Sequence, residues 1–227
     1  MIINTPAVVL RSFPYGETSI IARCYTRDHG KVSVIVKGAR RKKSPMAAYF
    51  QSMNYLDIVY YFRETRSLQA LSKASFIEIW SELNQDLKKI AYGLAVIELT
   101  EKTNTEHDPH PELFDELVAV LKALNRSDLR LNLIFWYFQI KLLTILGFKP
   151  DFQQREQGNI KFPNPFAGPN SEKILEDISI NSIDSISNIT AMGKDRKAIS
   201  EYLAAFMSYH FEGLDKLKSF SVLKQII

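Results

Sequence analysis

The sequence predicts an α+β multidomain protein: a five-stranded barrel over residues 1–80, followed by an α-helical bundle domain over residues 81–227. Three observations carry this prediction. Runs rich in Val, Ile, Tyr and Phe, separated by turn residues, fill the first part, and a helical period takes over after Trp80. Charge divides at the same place: residues 1–80 hold 12 Lys and Arg against 5 Asp and Glu, a balance of +7, whereas residues 81–227 hold 17 against 20, a balance of −3. The net charge of +4 therefore hides a basic module joined to a mildly acidic body, a segregation that steers polyanions toward one face.

Five strands are expected, over 7–13, 18–26, 31–37, 54–62 and 68–79, because β-branched and aromatic residues suit a pleated, half-buried surface. The breaks between them are Pro14 to Gly16, Asp28 to Gly30, Gly38 to Pro45 and Glu64 to Arg66, each supplying turn-compatible residues. Residues after Pro45 suit one short helical turn. Three strands, a short helix and two further strands match the Greek-key barrel called the OB-fold.

Helices are expected over 82–102, 112–124 and 129–146, with Pro111 placed as a first helical residue and Gly147 as a terminator. The segment from Leu131 to Leu146 is apolar on nearly every side, which marks the central helix. Residues 151–170 hold Gly158, Pro163, Pro165, Gly168 and Pro169 without a sustained period, so an irregular excursion is expected there. Helical signals return weakly over 171–177 and strongly over 194–211, and a short helix over 219–227 is expected to close the bundle.

Length and composition set the class. With 227 residues and 46% hydrophobic content, the chain has enough apolar material for a substantial core. No apolar run approaches the roughly 20 residues that span a bilayer, and the first residues lack a signal-type core, so a cytoplasmic protein with no membrane partner is expected. The single Cys24 lies in an alternating strand pattern as a small buried residue, with no His or Asp pairing for nucleophilic chemistry. Phosphate loops, paired-glycine dinucleotide turns and elbow serines are lacking, so no enzyme activity and no cofactor are expected. His107 and His110, with Glu106 and Asp108, read as a solvated loop rather than metal ligands.

The most informative stretch is Lys37, Gly38, Ala39, Arg40, Arg41, Lys42 and Lys43, ahead of Ser44 and Pro45. Four consecutive cations at the end of a strand suit the phosphates of a nucleic acid, while aromatics in the same module suit base stacking. The candidate DNA-binding residues are Arg40, Arg41, Lys42 and Lys43, supported by Arg11, Arg27, Lys31 and Lys37. Tyr15 and Tyr49, which fall in expected loops, are the candidate stacking residues. Two other readings fit the basic barrel: an RNA-binding OB-fold of translation or ribosome assembly, and a non-catalytic protein-interaction scaffold.

The ordered features resemble the RecO family of DNA repair proteins, the bacterial recombination mediators. The residues that carry the resemblance are Val8 to Arg11, Tyr15 to Glu17, Thr26 to Lys31 and Val36 to Arg41, then Leu143, Leu146 to Phe148, Pro150, Tyr202, His210, Lys218 and Ser219. The resemblance implies an N-terminal OB-fold and a helical domain, and a mediator of homologous recombination that binds single- and double-stranded DNA and anneals complementary strands. It further implies RecR and the acidic, hydrophobic-ended tail of single-strand-binding protein as partners, with RecA loaded indirectly, and association with the nucleoid during repair. Arg126, Arg130 and Lys141 are the candidate rim for that tail. Many members carry a four-cysteine zinc site after the segment matching Leu146 to Pro150. Gln154, Arg155, Glu156, Gln157 and Gly158 stand there in this chain, so no structural zinc is expected.

Overall fold

The computed structural model describes residues 1–126, 130–154, 156–157, 159–214, 217, 219 and 223. Two compact units are present: residues 1–81 with 93–118, and residues 82–92 with 119–227. The division falls inside two helices, so the barrel unit includes a helical corner as well as strands.

In the first unit, β1 (Ile2–Tyr15), β2 (Ser19–Thr26), β3 (Gly30–Val36), β4 (Tyr55–Tyr61) and β5 (Leu68–Glu78) close into a barrel in the order β1-β2-β3-β5-β4. The β3 and β5 pair is parallel and the others antiparallel, which is the OB-fold arrangement expected from the strand order. A one-turn helix, α1 (Met46–Tyr49), follows Pro45 between β3 and β4. The core is built from inward-facing residues, among them Val9, Ala22, Cys24, Val34, Leu56 and Ile58. Burial pushes the Cys24 thiol up to about 12, which suits a packing role and no nucleophilic one.

β1 begins at Ile2, five residues before the expected start. Residues 2–8 pair with β4 and residues 7–15 with β2, so one long strand serves both neighbours. Pro6 broke the apparent run in the sequence because proline cannot donate to a ladder, yet its carbonyl accepts from the Arg27 amide at 3.2 Å.

The first unit is completed by the second half of α2 (Leu87–Thr103) and the first half of α3 (Pro111–Arg126). Tyr25, buried on β2, donates to the Asn104 side chain at 3.3 Å and packs near the Phe114 ring. Residues 104–108 run beside the start of β3, and the His107 amide donates to the Lys31 carbonyl at 3.3 Å. Gly30 makes that approach feasible. Its φ is +61°, and a Cβ there would lie 2.5 Å from the Asp108 carbonyl oxygen.

In the second unit, a 3-10 turn at Leu83–Gln85 precedes α2, which starts five residues later than periodicity suggested. The physical reason is Asp86, whose carboxylate accepts from the Lys88 and Lys89 amides at 2.7 and 3.1 Å as an N-cap. α4 (Leu131–Ile145) buries ten of its fifteen residues and packs against α5 (Ser171–Ile180) and α6 (Gly193–His210), so it is the central helix of this unit. The excursion contains two short paired strands, β6 (Glu156–Gln157) and β7 (Ile160–Lys161), too short to leave a periodic trace in the sequence. The expected helix start at Leu129, Arg155 and Gly158 lie outside the described residues. So does most of the expected closing helix over 219–227, within which Ser219 and Leu223 are described and buried.

Candidate nucleic-acid interface

A register irregularity in β1 sets the geometry of the barrel's outer face. Val9 pairs with Cys24 facing the core, and the next pair is Arg11 with Arg23, so Leu10 is an extra residue. An inserted residue reverses the alternation of inward and outward side chains beyond it. Arg11, Phe13 and Tyr15 consequently share the outer face, while Leu10 is buried. Ladder pairing extends this into rows. Arg11 lies opposite Arg23, then Ser33; Phe13 lies opposite Ile21, then Ile35; Tyr15 lies opposite Ser19 at the hairpin tip. Phe13 is 41% exposed and Tyr15 48%.

Nine of the module's twelve cations lie on β1 to β3, their turns and the loop after β3, and they divide into two sets; the other three, Arg63, Arg66 and Lys73, are exposed on the β4–β5 side. Those of the first row and the adjoining turn are neutralised by the helical corner. Arg11 Nε lies 2.8 Å from the Glu101 carboxylate, Arg23 pairs with both Glu101 and Glu106, and Lys31 Nζ donates to the Glu101 carbonyl at 2.9 Å. Arg27 makes a bidentate pair with Asp115, both bonds 2.9 Å, which raises its pKa above the usual guanidinium value. Burial, reinforced by the charge of Arg23, lowers the Lys31 pKa. Of the supporting DNA-binding candidates, Arg11, Arg27 and Lys31 each have a partner within the chain, and Arg11 and Arg27 remain partly exposed beside theirs. Sequence periodicity registers cations on strands but not carboxylates that arrive from residues 101–115.

The second set is different. Lys37, Arg40, Arg41, Lys42 and Lys43 are exposed, and among the described residues no carboxylate pairs with them. The loop that carries them is nonetheless anchored. The Arg40 amide donates to the Thr18 carbonyl at 2.8 Å and its Nη1 to the Gly16 carbonyl at 3.1 Å. These bonds tie the base of the cationic loop to the β1–β2 turn, beside Tyr15. Four clustered charges on a loop tied beside a hairpin tip concentrate positive potential there.

The two candidate tyrosines separate as well. Tyr15 is 48% exposed at the tip and has no ring contact among the described residues, whereas Tyr49 stacks on Phe76 with centroids 4.5 Å apart and packs on the barrel core. Phe13 was missed because simple alternation from the core residues of β1 turns it inward. The extra residue at Leu10 turns it outward instead.

The second unit holds an apolar cavity of about 290 Å³ between α4 and α6, lined by Tyr92, Phe135, Trp136, Ala204 and Leu223, with Arg196 and Lys197 also at its wall. The expected rim residues lie elsewhere. Arg126 pairs with Asp184 at 3.3 Å, Arg130 donates to the Thr190 hydroxyl at 3.0 Å, and Lys141 sits 5.3 Å from the Tyr137 ring centroid. The cationic wall comes from α6, a segment separated from α4 by some fifty residues of sequence.

Comparison with known proteins gives two family matches that together run nearly end to end: residues 1–80 match the model described as "Recombination protein O N terminal", and residues 84–220 match "Recombination protein O C terminal". The chain belongs to the RecO family. It is 31% identical over 245 residues to the DNA repair protein RecO of Salinibacter ruber, covering 99% of this chain and 94% of that protein. It is 24% identical to the RecO of Prosthecochloris aestuarii, covering 100% of this chain and 98% of the relative, and 26% identical to that of Chloroherpeton thalassium over the full length of both. Family membership gives the protein a role in DNA repair and recombination.

Within this RecO-family chain, the excursion is held by rings and hydrogen bonds. Phe162 is buried against Tyr202, Phe206 and Tyr209, with centroids 6.0, 5.2 and 5.7 Å away, and Phe152 packs on Tyr202 at 5.4 Å. The buried Asp195 carboxylate accepts from the Asn170 amide, the Ser171 hydroxyl and the Met192 amide at 2.8, 3.0 and 2.7 Å, joining the end of the excursion to the starts of α5 and α6. Among the described residues no group of three or more His, Cys, Asp or Glu is arranged to hold a metal ion. The donor chemistry does not fit a thiolate site, because Cys24 lies in the barrel core and the segment presents glutamines.

Proposed function

We propose that the protein is a non-catalytic recombination mediator of the cytoplasm, acting at the nucleoid. It binds single- and double-stranded DNA without sequence specificity, anneals complementary strands, and assists loading of RecA onto DNA coated with single-strand-binding protein. The observation that carries this reading is the contrast within the barrel's cations. Four consecutive charges, Arg40 to Lys43, are exposed on a loop tied to the β1–β2 turn through Arg40, while Arg11, Arg23, Arg27 and Lys31 are paired with Glu101, Glu106 and Asp115. A backbone-directed cationic edge binds any sequence, because phosphates carry no base identity. Bringing two phosphate backbones onto one neutralising edge also lowers the repulsion that opposes annealing.

RecR and single-strand-binding protein are the proposed protein partners. The apolar cavity beside Arg196 and Lys197 suits the acidic, hydrophobic-ended tail of the latter, since an apolar terminus fills the cavity while its carboxylates meet the two cations. Among the described residues no helix is long and apolar enough to cross a membrane.

The test is strand annealing on DNA coated with single-strand-binding protein, comparing the natural chain with a variant carrying Arg40→Glu, Arg41→Glu, Lys42→Glu and Lys43→Glu. The expected result is annealing by the natural chain, inhibited by salt, and none by the variant. Annealing that survives the four reversals would remove the loop from the mechanism.

A further inference from the structure

We propose that the outer-face row Phe13, Ile21 and Ile35, with Tyr15 one row nearer the tip, is a platform for unpaired nucleobases. The barrel then has two modes of DNA contact: the cationic loop alone on duplex, and loop and platform together on a single strand. The inference rests on the reading of this barrel as a DNA-binding module and deepens it by naming what separates the two substrates.

The platform is a product of register. Phe13 and Tyr15 face outward because of the extra residue at Leu10, and each keeps somewhat under half of its surface exposed. Ile21 and Ile35 continue the Phe13 row across β2 and β3, so the row presents an apolar strip about 10 Å wide at the usual strand spacing. Its charged boundary is fixed on both sides. The Arg40 side chain is bonded to Gly16 beside Tyr15, and the row beyond Phe13 holds Arg11 and Arg23, already paired with Glu101 and Glu106. A phosphate chain is therefore attracted at the tip and not beyond the Phe13 row.

Spacing selects the substrate. Rows on one face of a strand stand about 6.7 Å apart, roughly twice the 3.4 Å rise of stacked bases in a duplex. Bases seated on Phe13 and on Tyr15 belong to an extended chain, which a single strand adopts freely. In a duplex the faces of the bases are covered by their neighbours and only their edges reach the grooves, so the rings have nothing to stack on. Duplex DNA thus meets Arg40 to Lys43 and leaves the platform empty. Ring stacking tolerates any base, so the preference for single strands comes without a preference for sequence.

The experiment is fluorescence anisotropy with a labelled thymidine oligomer and a blunt duplex of the same length, using the full chain and the double variant Phe13→Ala, Tyr15→Ala. Loss of the two rings should weaken single-strand binding about tenfold or more and leave duplex binding within about twofold, which also shows that the variant is folded. A second variant, Phe13→Trp, should keep its affinity, and its added fluorescence should be quenched by the single strand and not by the duplex. Equal losses on both substrates, no loss on either, or an unquenched Phe13→Trp would overturn the platform while leaving DNA binding by the loop intact. Failure of the natural chain to bind either DNA at low salt would instead overturn the DNA-binding reading, and the platform with it.

Discussion

Glu101 is the internal counter-ion of Arg11 and shares Arg23 with Glu106, and replacing it with Gln should lower stability and raise DNA affinity together. Its side chain is 13% exposed, and its carboxylate meets Arg11 Nε at 2.8 Å and Arg23 Nη1 at 3.6 Å. Gln keeps the shape and an acceptor oxygen, and the backbone carbonyl that receives Lys31 is untouched, so the change removes charge and little else. Breaking a fully buried ion pair costs about 3–5 kcal/mol and an exposed one under about 1. With Arg11 half exposed, about 1–2 kcal/mol is expected here, a fall of about 2–8 °C in thermal midpoint for a protein of this size. On the DNA side, a released Arg11 adds about one phosphate contact. The slope of log affinity against log salt for a single strand should therefore steepen by about 0.7, with tighter binding at low salt. Thermal melting and anisotropy across a salt series read the two effects separately. A variant that melts lower with an unchanged salt slope would refute the claim that Glu101 masks a DNA-facing cation, and a variant unchanged in both would refute the ion pair itself.

Phe162→Ala should destabilise the helical unit by about 3–5 kcal/mol in urea unfolding, because it empties the centre of the aromatic cluster that holds the excursion, and added zinc should not restore the loss. His210, surrounded by Phe148, Phe206 and Tyr209, has its pKa lowered below the usual 6.5 by burial. The unfolded chain then binds its proton more tightly, so the contribution of the neutral ring is fully present above pH 6.5 and is lost as pH falls through the window beneath it. His210→Phe should flatten that part of the stability profile, as measured by urea midpoints on either side of pH 6.5, and an unchanged profile would remove His210 from the acid response.

Much of this protein was legible from local pattern. The five strands, the turn after Pro45, the first helical residue Pro111 and the buried character of α4 all follow from side-chain period and from the backbone chemistry of Gly and Pro, which act over a few residues. The cationic loop was legible for the same reason, since four adjacent charges declare themselves without any knowledge of their surroundings. The starts of β1 and α2 were misplaced where a single residue, Pro6 or Asp86, outweighed the pattern around it. Excursion residues 151–170 read as irregular, and the cluster of Phe152, Phe162 and Tyr202 that organises them joins positions up to fifty residues apart.

By itself, then, the sequence determined the barrel-and-helix architecture, the absence of thiolate ligands after Pro150, and the location of the strongest positive charge. Only tertiary structure decided which of the barrel's cations remain available and which aromatic faces outward. Arg11, Arg27 and Lys31 have the same charge as Arg40 in sequence, but their accessible potential depends on Glu101, Glu106 and Asp115, brought within ion-pairing reach from a distant helical corner. Phe13 alternates like any core residue until one extra residue at Leu10 reverses the count. Charge and period are properties of residues and their near neighbours, whereas neutralisation and facing are properties of pairs, and the pairs exist only once the barrel has closed.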